Sequence, residues 1–95
     1  MMAANGARGE VVVTLAGRPR RLCLTLGALA ELETAFAVED WGALTTRLRG
    51  LSARDLAVVL EALLRGGGET VADVSAVDFR EAAEAVAAAF TAAGG

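Results

Sequence analysis

Between Gly9 and Glu33 the chain reads G-E-V-V-V-T-L-A-G-R-P-R-R-L-C-L-T-L-G-A-L-A-E-L-E, and no other stretch restricts the fold as much. Glu10 to Leu15 is rich in β-branched residues and predicts a strand. Ala16-Gly17-Arg18-Pro19 predicts the turn, because glycine tolerates positive φ and proline has no N–H for a ladder. Residues 20–24 predict the return strand. Leu22 and Leu24 share one face and Arg21 and Cys23 the other, the alternation of a strand with one face in water. An isolated hairpin is marginal in water. Leu22 and Leu24 therefore need helices to pack on, and Thr25 opens one with almost no linker.

Three helix starts use the same device. Ser52 stands three residues before Asp55, with Leu51 and Leu56 as an apolar staple. Ser75 stands three before Asp78, with Val74 and Phe79 in the matching places. Thr25 has the staple, Leu24 and Leu29, but Ala28 where an acid would help. The likeness of L-S-A-R-D-L to V-S-A-V-D-F is not a repeat, because the offset of 23 residues is too short for a two-helix unit.

These signals predict four helices. Residues 26–37 carry a stripe of Leu29, Leu32 and Phe36. Residues 40–49 turn Trp41, Leu44 and Leu48 inward, and Gly50 ends them. Residues 53–65 have the cleanest pattern, Leu56, Val59, Leu60, Leu63 and Leu64, with Glu61 and Arg65 placed to pair at i,i+4. The triple glycine 66–68 terminates that helix, and residues 69–74 form a link. Residues 76–93 place Phe79, Ala83, Val86 and Phe90 on one face. Residues 1–8 are small and polar and predict a disordered tail. The expected fold class is α+β: an N-terminal β-hairpin followed by four packed α-helices, one small domain over 9–95.

Residue types limit the chemistry. The chain contains no His, no Lys and no Tyr, so every positive side chain is Arg. The commonest general base and metal ligand is missing, as is the lysine of a P-loop or a Schiff base. Net charge is −3, which argues against a nucleic-acid binder. One cysteine forms no internal disulfide, no signal peptide is visible, and no apolar run approaches the roughly 20 residues of a membrane helix. The expectation is a cytoplasmic protein with no membrane association.

Each constellation has a plainer explanation. Cys23 lacks a histidine to activate it and suits packing. Glu31 and Glu33 project about 200° apart on a helix, and Glu39 and Asp40 suit a helix N-terminus. The triple glycine follows a helix, whereas a phosphate loop precedes one. Arg18, Arg20 and Arg21 cluster at the hairpin without aromatic residues for stacking bases. No catalytic, metal or cofactor residue is assigned, and no small-molecule substrate is expected.

The last helix is more suggestive. After Glu84 no charged residue occurs through Gly95. Ala85, Ala87, Ala88, Ala89 and Ala92 predict an uncharged, small-residue face, where a surface helix normally carries charge. Such a face allows close approach of another helix, from a partner, a second copy or the same chain. Ala85, Ala88, Ala89, Ala92 and Phe90 are the candidate partner-binding residues.

The chain resembles the small tail assembly chaperones of gene transfer agents and tailed phages. The resemblance covers residues 9–90. It rests on Gly9-Glu10, Gly17, Leu22, Leu24, Thr25 and the block Ala28-Leu29-Ala30-Glu31-Leu32-Glu33, then on Arg54-Asp55-Leu56-Ala57 and Leu63-Leu64-Arg65-Gly66. It implies a non-enzymatic protein that coats the helical tape measure protein and is displaced when the tail tube polymerises. It brings no catalytic residue. Two other readings stay open: a minor structural component of the tail tube, and a regulator binding nucleic acid through the arginine hairpin.

Overall fold

The computed structural model describes residues 9–70 and 74–94. The tail expected over 1–8 lies outside them. Among the described residues the order is β1 (Glu10–Leu15), β2 (Arg18–Cys23), α1 (Leu26–Ala35), α2 (Trp41–Leu48), α3 (Ala53–Gly66) and α4 (Phe79–Ala92). This is the expected α+β hairpin and four helices in one small domain.

The hairpin is tighter than its sequence suggests. Ala16 and Gly17 alone form the loop, with φ of 52° and 79°, and Leu15 already pairs with Arg18. Two successive positive φ values match the right-handed twist of the flanking strands, so the strands stay together. The Glu81 carboxylate accepts from Ala16 N–H at 2.7 Å and holds the turn against α4. Arg18 and Pro19, expected in the turn, therefore belong to β2. Proline is tolerated there because its neighbour two residues on, Arg21, points its N–H away from β1 toward Glu69. By the strand's period of two, the Pro19 nitrogen also faces away from β1, and no ladder bond is lost.

α3 is the central element. It packs on α1, on α4 and on β2, while β1 lies against α4. All five expected core residues of α3 are buried, and Ala62 joins them. Its start is the expected Ser52 cap, whose hydroxyl accepts from Asp55 N–H at 3.1 Å. The expected Glu61–Arg65 pair gives way to a longer-range one, in which Arg65 binds Glu31 of α1.

The triple glycine does two separate jobs. Gly66 and Gly67 lie so close to β2 that a methyl on either would overlap the carbonyl oxygens of Cys23 and Arg21. Gly68 takes φ +79°, which lets Gly68 N–H reach Arg65 O at 3.0 Å and Glu69 N–H reach Leu64 O at 2.9 Å. Glu69 then grips β2 through Arg20 Nε at 3.0 Å and Arg21 N–H at 3.2 Å, and Arg20 also donates to Thr70 O. The face of β2 expected to be wet is closed accordingly: Cys23 is buried and Arg21 half-buried.

α4 differs most from expectation. It starts at Phe79, not at residue 76, because Asp78 rather than Ser75 is the cap, accepting from Arg80 N–H at 2.7 Å. Ser75 lies in a turn closed by Val77 N–H to Val74 O. The buried stripe is Ala82, Ala85, Val86 and Ala89, at i, i+3, i+4 and i+7. It is rotated by roughly a quarter turn from the expected Phe79–Ala83–Val86–Phe90 line. α3 and β1 both converge on α4, and the leucines of α3 fill the space between them. Small residues fit what remains; Phe79 is turned outward, and Phe90 lies half-buried at the edge of the core.

Candidate functional site

The outward turn of α4 leaves its aromatic edge facing α2, and the two helices enclose an open groove of about 440 Å³. Each wall has a local cause. Asp40 caps α2, its carboxylate accepting from Ala43 N–H at 2.8 Å, which sets Trp41 at the helix's first position. Leu44, fully buried, anchors α2 in the core. Arg47 binds it on two sides, through Asp55 of α3 at 2.6 Å and over the Phe36 ring at 5.0 Å. Leu48 and Leu51 follow along one side of the groove, and Leu56 and Val86 line it from the core.

At one end the Trp41 and Phe90 rings stack, with centroids 5.9 Å apart and planes inclined at 28°. At the other end Phe79 stands 60% exposed. The distance along α4 from Phe79 to Phe90 is roughly 16 Å, about three helical turns. Trp41, expected inward, is 43% exposed. Leu26, at the start of α1, is also exposed, but a single exposed leucine is ordinary. Trp41 and Phe79, by contrast, line one continuous concave surface.

The sequence-derived partner residues are divided by this geometry. Ala85 and Ala89 are buried and used up in α4's own packing, so the small-residue face meets an intramolecular neighbour. Ala88 and Ala92 are half-buried. Of the five, only Phe90 lines the groove. Trp41, Leu48, Leu51, Phe79 and Ala83 were not singled out as partner residues. The signal that could have found them is two aromatic residues on a helix where three alanines and Val86 already complete an i, i+3, i+4, i+7 stripe.

The remaining constellations have structural roles. Cys23 is buried. Arg20 is tied to Glu69, and Glu31 to Arg65. Among the described residues no group of three His, Cys, Asp or Glu side chains is arranged to hold a metal ion, and no helix is long and apolar enough to cross a membrane. What the groove offers chemically is apolar contact with two aromatic walls.

The family model described as phage tail tube protein, GTA-gp10, matches residues 8–94, which is nearly the whole chain. The chain belongs to this family. Membership in a phage-tail and gene-transfer-agent family points to protein partners within a tail. The match runs from the hairpin through α4 and so includes every residue of the groove. No curated protein and no solved structure matches.

Proposed function

We propose that this protein is a non-enzymatic tail assembly chaperone that holds the helical tape measure protein until the tail tube polymerises around it. The observation that carries the reading is the open aromatic groove between α2 and α4. A 95-residue chain leaves Trp41 and Phe79 substantially exposed on one concave surface, where burial would have stabilised the fold by about 2 kcal/mol per side chain. Exposed apolar surface of this kind suits recognition of another chain. A groove three helical turns long suits an amphipathic helix, which anchors at i, i+3, i+4 and i+7. An open, shallow site also suits a temporary partner, because each contact is modest and release stays fast.

Co-expression with a tape measure fragment tests this. The wild-type protein should keep the fragment soluble and co-elute with it, and Phe79→Ser should lose both effects. A fragment that stays insoluble with the wild-type protein contradicts the reading.

The family description favours a second reading, a structural component retained in the tail tube. Mass spectrometry of purified particles separates the two. A chaperone is nearly absent from finished particles, and a tube component is present at many copies.

A further inference from the structure

The groove does not end at Phe79. Beyond that ring a second apolar hollow of about 400 Å³ opens beside the first turns of α3, with Ala57, Leu60, Val74 and Val77 in its walls. Phe79 and Leu56 line both hollows, so the two adjoin at the Phe79 ring.

The charged residues that line the two hollows are both cationic. The first hollow has one charged lining residue, Arg49, and the second has one, Arg54. Both are exposed, and among the described residues neither side chain makes an ion pair. Arg20, Arg47 and Arg65 are each matched to an acid of this chain. Asp40 and Asp78, close to Trp41 and Phe79 in sequence, line neither hollow, and each turns one carboxylate oxygen to a helix N–H. Glu84 lines neither hollow. In a chain of net charge −3, two unmatched arginines thus line the two adjoining apolar hollows. Guanidinium groups in such hollows select carboxylates and penalise cations, which sets partner choice and register more than raw affinity.

Resting on the chaperone reading of the groove, we propose that the bound segment is an amphipathic helix whose apolar stripe is flanked by acidic residues. Its stripe crosses the Phe79 ring, and its carboxylates meet Arg49 in one hollow and Arg54 in the other. A helix flanked by lysine or arginine is rejected by like charge at both ends.

Three synthetic helices test this, sharing one apolar face and carrying glutamate, glutamine or arginine flanks. Trp41 is the single tryptophan and forms a wall of the groove, so its fluorescence reports binding. The glutamate helix should bind roughly 5-fold tighter than the glutamine helix at low salt, from two exposed ion pairs. The arginine helix should bind weakest. The glutamate advantage should vanish in the Arg49→Gln, Arg54→Gln double variant and shrink in high salt. Equal affinity for all three flanks, or a preference for arginine, overturns the acidic-helix assignment and leaves the groove reading intact. Binding of none of the three overturns both. A free chain that sediments as a dimer, and as a monomer after Phe79→Ser, gives the hollows to a second copy and also overturns the proposal.

Discussion

The two ends of this molecule treat apolar and backbone surface in opposite ways. Where α3 meets β2, contact is close enough that Gly66 and Gly67 touch strand carbonyls, and Glu69 closes the edge with two hydrogen bonds. Where α2 meets α4, Trp41 and Phe79 stay largely in solvent and, with the half-buried Phe90, line an open groove. The same helix, α4, serves both regimes: alanines face α3 and β1, and phenylalanines face α2. The closed end buries its contacts, and the open end keeps apolar surface in solvent, the surface proposed to meet a partner.

Substitutions sharpen that division. Leu63→Ala removes a fully buried side chain of α3 and should cost about 3 kcal/mol in urea denaturation. Gly67→Ala forces a methyl into the Arg21 carbonyl and should cost about 2 kcal/mol by the same measurement, since two backbones must part. Asp78→Ala removes the cap of α4 and should cost about 1 kcal/mol. Phe79→Ser should change stability by less than about 0.5 kcal/mol, because the ring is mostly in solvent, while it abolishes client binding. If Phe79→Ser instead unfolded the chain, the open end would be part of the core and the division would fail.

The hairpin and α3 were largely legible in the sequence. β-branched residues, the Ser52 cap and the leucine stripe of α3 each carry a local signal, and the structure keeps all three. The reach of Glu69 back to β2 was not legible, since it joins residues 48 apart along the chain. The open end was misread for a physical reason. Hydrophobic periodicity assumes that the largest residues go inside, and α4 reverses this because two elements crowd its inner face. Phe90 was found, but through an argument about the alanines beside it. Trp41 was assigned to the core on the same assumption, and the stacking partner that holds it at the surface lies 49 residues away.

The central claim is that the client seats between α2 and α4. Amide chemical-shift mapping of ¹⁵N-labelled protein, titrated with a soluble tape measure segment, tests it residue by residue. The account predicts that the Trp41 indole N–H and the amides of Phe79, Ala83 and Phe90 shift together while the hairpin around Arg18 to Arg21 stays still. Shifts confined to the hairpin, with the groove unchanged, would contradict it.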